Sequence, residues 1–466
     1  MFRVTSSPVR LCDRLSRREV LRIGGLGALG LSLADLTRNR AQSAEVLLPS
    51  SGRAKHCIVL FLLGGPPQHS TWDPKPDAPQ EVRGEFGPIS TNVPGIQVCE
   101  LLPRSASLAD RLCLLRAVHT GDNAHSSSGY YMFTGVPHQP MNAENVNPGA
   151  PNDWPNFGSV VRKLRPVEGS MPGAVRLPHH VWNTDGSVWP GQDAGFLGRA
   201  NDPWLFRCQP GSNDFQIAEF SLPNELPLER LQRRRDLLAS FDAWRQSADR
   251  GGINQYDGAT QQAFDLLTSR KSRDAFQLDA EPEVVRDRYG RSQFGQSVLL
   301  ARRLVEAGVG LVQVNWFRSP EEPSDAPCWD SHVGETKRLK TVLAPPFDQA
   351  FSALIEDLAQ RGMLDETLVV TLSEFGRSPR INAAGGRDHW GNVFSLALAG
   401  GGIRGGQVYG SSDAIGGSPK SNRVMPPDLL ATLFHLLGIS PSTELHDRVG
   451  RPFPVARGEV LHEILA

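Results

Sequence analysis

Unbroken apolar runs are the first feature of the chain. His56-Cys57-Ile58-Val59-Leu60-Phe61-Leu62-Leu63 ends at Gly64-Gly65-Pro66-Pro67. A run without alternation reads as a strand covered on both faces of a parallel sheet. Further runs occupy 112–118, 310–316, 367–372 and 395–399. Apolar positions at helical spacing fill 296–307, 346–360 and 427–437, with Gly308, Gly362 and Gly438 at or just beyond their ends. A shorter helix is expected around 102–110. Strand–helix alternation of this kind predicts an α/β fold with a mainly parallel central sheet. Residues 136–221, rich in Pro, Gly, Asn and Trp, show little periodicity and are expected as long loops over one end of the sheet. Residues 224–275 read as helical, with Arg233-Arg234-Arg235 on a solvated face.

The N-terminus has a different pattern. Residues 1–44 carry eight arginines against Asp13, Glu19 and Asp35. Arg17-Arg18 precedes a weakly apolar, Gly-rich run from Ile23 to Leu33, and Ala41-Gln42-Ser43-Ala44 supplies small residues after it. That order describes an export signal, and the paired arginines point to the twin-arginine route. An amphipathic first helix fits less well, because Gly24, Gly25, Gly27 and Gly30 disfavour a helix interior. The expectation is a signal peptide over 1–44, one domain over 45–466, and a periplasmic or secreted product whose export partner is the twin-arginine machinery. No later apolar stretch reaches the roughly 18 residues of a membrane span.

Composition narrows the classes further. Lys+Arg 49 against Asp+Glu 50 leaves a net charge of −1 over 466 residues, without the basic excess of a nucleic-acid binder. Six cysteines at scattered spacings, with no Cys-x-x-Cys pair, indicate neither a disulfide scaffold nor a thiolate zinc site.

Ligands of such sheets bind beyond the carboxyl ends of the strands. After the second run stands His119 to Gly135, in which His125-Ser126-Ser127-Ser128 opens a short helix whose free N–H groups favour an anion. After the third comes Cys328-Trp329-Asp330-Ser331-His332, and after the fourth Ser373-Glu374-Phe375-Gly376-Arg377. Gly386-Arg387-Asp388-His389-Trp390 precedes the fifth. Carboxylate and imidazole recur at these strand ends, a donor set that suits a divalent cation. Any one pair could be a core histidine with its acid partner; their convergence favours a site. No GxGxxG, Walker loop or G-x-S-x-G elbow is present.

These motifs, with Trp72-Asp73-Pro74-Lys75-Pro76, Gly191 to Gly198 and Ala399 to Gly406, resemble domain of unknown function 1501. That bacterial family is commonly twin-arginine exported and is placed in the alkaline phosphatase/sulfatase-like superfamily. The resemblance runs from the first strand to the C-terminus and implies an alkaline phosphatase-like αβα sandwich. It puts His125 at the superfamily's nucleophile position with Ser126 beside it, Gly64-Gly65 where an acid is usual, and Glu374-Phe375 where an Asp-His pair is usual.

The expectation for function is metal-dependent hydrolysis of a phosphate or sulfate ester, a small anionic ester or one on a sulfated polysaccharide. Asp330, His332 and His389 would hold one or two divalent ions (zinc, manganese or calcium), with Glu374 and Asp388 as ligands or orienters. His125 or Ser126 would act as nucleophile or base, and Ser128 and Arg377 would bind substrate. The rival reading is a non-catalytic exported binding or assembly protein with a degenerate site.

Overall fold

Each of the five apolar runs becomes a strand, and three short strands join them. The computed structural model describes residues 52–167, 171–212, 269–317 and 327–466, with Phe215, Arg230, Arg233, Asp265, Leu266 and Glu322. The expected signal segment and most of 224–275, including Arg234 and Arg235, lie outside the described residues. The strands are β1 (His56–Phe61), β2 (Leu112–Val118), β3 (Ala174–Leu177), β4 (Trp204–Leu205), β5 (Leu311–Asn315), β6 (Thr367–Leu372), β7 (Phe394–Ala399) and β8 (Gln407–Tyr409). They form one sheet in the order β8-β2-β7-β6-β1-β5-β3-β4.

The centre is parallel: Cys57 to Phe61 of β1 register with Leu311 to Asn315 of β5, and His56 to Phe61 with Thr367 to Leu372 of β6. Only β7 is reversed, antiparallel to both β2 and β6. The carboxyl ends of β1, β2, β5 and β6 therefore open on one edge. Reversal of β7 brings its beginning, and the segment before it, to that edge too.

Alternate residues of β1 feed two cores. Ile58 and Leu60 face a layer containing α3 (Gln293–Glu306) and α4 (Ala344–Gln360); Cys57, Val59 and Phe61 face α1 (His125–Thr134), α2 (Phe157–Leu164) and α5 (Pro426–Leu436). The expected αβα sandwich is the fold observed. In 136–221, where loops were expected, helix α2 and strands β3 and β4 extend the sandwich. Strands of four and two residues are too short to leave a readable period. The helix expected at 102–110 is a four-residue turn at Pro103–Ala106 and a separate 3₁₀ turn. Cys57, Cys99, Cys113 and Cys328 are free thiols. Among the described residues no helix is long and apolar enough to cross a membrane.

Candidate metal centre

His125 is the first residue of α1, which follows β2 across the carboxyl edge. The N-cap Ala124 offers no side-chain cap, so the helix start is held from elsewhere. Asp122 Oδ1 accepts from Ala124 N (2.9 Å) and Ser127 Oγ (2.9 Å), and Glu144 Oε1 accepts from His125 N (2.7 Å).

Glu374 stands two residues beyond the end of β6 and is fully buried. Its Oε1 accepts from Gly64 N (2.8 Å) and faces His125 Nδ1 (2.8 Å), while Ser373 Oγ donates to Oε2 (3.1 Å). Gly64 has φ +107°, and a Cβ there would meet Asp330 N at 2.3 Å. Glycine after β1 thus lets the Trp329-Asp330 backbone close onto the strand end, where an acidic side chain would not fit.

Asp330 and His332 stand on the loop after β5, pinned by Arg338 Nη1 donating to Asp330 O (2.9 Å) and Asn382 Nδ2 donating to His332 O (3.1 Å). His389-Trp390 pairs antiparallel with Gly376-Arg377, which delivers His389 to the same place. Phe375 stacks on the His389 ring, centroids 4.4 Å apart at 27°.

Three donor atoms now meet. His332 Nε2 and His389 Nε2 lie 2.9 Å apart, and each is 3.1 Å from Asp330 Oδ1. His389 Nδ1 faces Asn123 O (2.7 Å), a carbonyl that can only accept, so the neutral ring carries its proton there. Burial, with the His125 and Arg377 charges beside it, pushes the His389 pKa down to about 4 and keeps the ring neutral. His332 Nδ1 faces Asp388 Oδ1 (3.2 Å), again an acceptor. A cation would be met by both Nε2 lone pairs with the ring protons on Nδ1, where Asn123 O and Asp388 Oδ1 stand as acceptors. One carboxylate and two imidazoles from two segments of chain at this spacing fit a divalent cation.

His125 sits against this triangle in a different state. Burial alone would lower its pKa, but hydrogen bonding to Asp330 and Glu374 outweighs that and raises it to about 9. Its Nε2 is 3.4 Å from Asp330 Oδ2. Both ring nitrogens face carboxylates, so His125 is an imidazolium at neutral pH. Asp330, although burial opposes ionisation, is held far below the usual carboxylate range by His125, His332, His389 and Arg377.

The structure therefore divides the expected residues. Asp330, His332 and His389 form the triangle; Glu374 and Asp388 stand behind His125 and His332 and orient them. His125, expected as nucleophile or base, holds no free lone pair while it stays charged. Ser126 is fully buried, its Oγ donating to Ala143 O (3.2 Å). Ser128, also buried, donates to Glu374 O (2.5 Å). Arg377, expected on a substrate anion, is fully buried and donates to Asp330 Oδ1 (2.6 Å), Gly65 O (3.0 Å), Arg387 O (3.0 Å) and Gly64 O. Its contacts lock the centre rather than face solvent. Glu144 and Asn123 were not among the candidates; Glu144 lies in the aperiodic segment, and Asn123 acts through its backbone carbonyl, which no side-chain motif reveals.

The model of the family described as "Protein of unknown function (DUF1501)" matches residues 54–465. The chain belongs to that family. No curated protein matches it. Among solved structures it is similar to Ps i-CgsB, at 12% identity and TM-score 0.40, covering 83% of this chain and 72% of that one. The PsFucS1 sulfatase from Pseudoalteromonas sp. gives 14% identity and TM-score 0.37, covering 84% and 69%. A protein in the alkaline phosphatase superfamily from Vibrio parahaemolyticus gives 10% and 0.38, covering 83% and 67%. Scores at this level leave the chemistry to the DUF1501 chain's own geometry.

Proposed function

We propose that this DUF1501 protein is an exported, metal-dependent hydrolase of phosphate or sulfate esters. The observation that carries the reading is the triangle of converging lone pairs, Asp330 Oδ1 with His332 and His389 Nε2, beside a charged His125. A bound divalent cation would polarise an ester oxygen and activate water. His125 holds a proton between Glu374 and Asp330, and its longer contact, Nε2 to Asp330 Oδ2 at 3.4 Å, marks the proton available to a leaving alkoxide. Glu374 fixes the ring from behind, and Asn123 O and Asp388 fix which nitrogens of His389 and His332 stay free for the cation. Engagement of Ser126 and Ser128 inside the protein favours direct attack by water over a hydroxyl nucleophile.

That same engagement, together with buried Arg377, also suits the second reading, a binding or assembly protein without turnover. Hydrolysis of 4-nitrophenyl phosphate and 4-nitrophenyl sulfate after loading with zinc, manganese or calcium separates the two. The hydrolase reading expects turnover that His125→Asn lowers by roughly 10²–10⁴-fold while bound metal is retained. Metal-loaded protein inert to both esters would leave the binding reading in place. Export is tested by Arg17→Lys with Arg18→Lys, which should strand the protein in the cytoplasm; normal secretion would remove the twin-arginine route.

A further inference from the structure

Beyond the end of β5, on the same edge of the sheet, lies a cleft of about 570 Å³ that plays no part in the chemistry above. It is larger than the two clefts beside Trp154, about 240 and 410 Å³. Sites for small organic ligands run to roughly 300–1,000 Å³. Its base is aromatic: Trp316, which follows β5, and Phe294, in the first turn of α3, are nearly fully buried with ring centroids 4.3 Å apart. Half-buried Phe317 forms one wall.

The polar groups around it are almost all uncharged. Gln209 and Ser212 stand at the rim. Gln293 is held in place, its Nε2 donating to Cys208 O (3.1 Å) and its Oε1 accepting from Gly211 N (3.1 Å). The single charged lining residue among those described, Arg291, is already paired with Asp287 and Glu283. Half-buried Phe317 beside amides and hydroxyls suits a ring with apolar C–H faces and equatorial hydroxyls. Among the described residues, nothing in the lining offers an unpaired charge to an anion.

The cleft and the metal centre hang from one strand end. Trp316 N donates to Phe61 O (2.8 Å) and Trp329 N to Leu63 O (2.9 Å). The two indoles meet at 5.4 Å, and Asp330 follows Trp329 directly.

We infer that this cleft seats a neutral sugar residue of a glycan, next to the residue that carries the ester. The link to an ester rests on the proposed hydrolysis; binding of the sugar itself needs neither metal nor turnover. Calorimetric titration with cellohexaose, laminarihexaose and chitohexaose tests it on the full protein and on Phe317→Ala, Gln209→Ala and His389→Ala. One of the three should bind saturably, and Phe317→Ala should weaken it roughly tenfold, the worth of one aromatic contact. Gln209→Ala should weaken it less, and His389→Ala should leave it unchanged. Phe317 and Gln209 are not core residues, and unchanged circular dichroism would show that the variants fold. Failure of all three sugars to bind, or equal binding to Phe317→Ala, would overturn the inference. Sugar binding in a protein that hydrolyses no ester would uphold it and retire the hydrolase proposal alone.

Discussion

Two clusters of charge sit on opposite sides of one difference. In the helical layer, Arg302 on α3 is fully buried, its Nη2 2.8 Å from Glu281, Nε 2.9 Å from Asp357 and Nη1 2.6 Å from Glu306. Tyr289 donates to Asp357 at 2.9 Å, and Arg361 Nε to the same carboxylate at 2.8 Å. Every close contact there sets a donor against an acceptor. At the carboxyl edge, His332, His389 and Asp330 instead bring together three atoms able to bind a metal, with donor and acceptor roles set by the ring tautomers. The first cluster is a set of ion pairs that ties helices together, with Arg302 Nε and Nη2 meeting their carboxylates outside hydrogen-bond geometry. The second brings three side chains suited to a cation within 2.9–3.1 Å of one another in the folded chain. Protein chemistry tolerates that arrangement where it serves a ligand.

Breaking the helical network should have the largest effect on stability. Arg302→Met removes from buried Glu281 and Asp357 the one fully buried cation they share and should cost about 3–5 kcal/mol in denaturant unfolding while leaving metal affinity unchanged. A loss below ~1 kcal/mol would mean that the network is not the staple described.

The converse variant is His389→Ala. Removing one of three ligands should weaken divalent-metal binding by at least about 100-fold, or ~2.7 kcal/mol, with little change in unfolding of the metal-free protein. Equal affinity in the variant would dissolve the contrast between the clusters.

Acid sharpens it further. Although burial raises the Glu281 pKa, Arg302 and Arg303 outweigh it and hold the carboxyl below its ordinary 4.5. Below that pH the unfolded chain binds the proton first, so the stabilisation present above about 4.5 is lost as pH falls through the folded value. The stability gap between the natural chain and Arg302→Met should therefore be flat above pH 4.5 and narrow below it. A gap independent of pH down to 3 would contradict the assignment.

How much of this the sequence revealed follows physical lines. The run 367–372 became β6 with the same limits, because a strand buried on both faces is apolar throughout. Reversal of β7 was invisible, since a buried antiparallel strand carries the same pattern as a parallel one. Strands β3 and β4 lacked the length to show a period. The convergence of Asp330, His332 and His389 on one edge was legible because each stands just beyond a strand end or before a strand at that edge. Arg377 was misjudged because its partners are the carbonyls of Gly64 and Gly65, and only the folded backbone shows them. The charged state of His125 likewise depends on Glu374, which lies 249 positions away.

The central claim is that the three converging lone pairs hold a cation. Metal analysis of protein purified without chelator, beside His389→Ala prepared identically, tests it most directly. The account predicts about one divalent ion per chain in the natural protein and almost none in the variant. A natural chain that carries no metal and takes up neither zinc, manganese nor calcium in titration would contradict it.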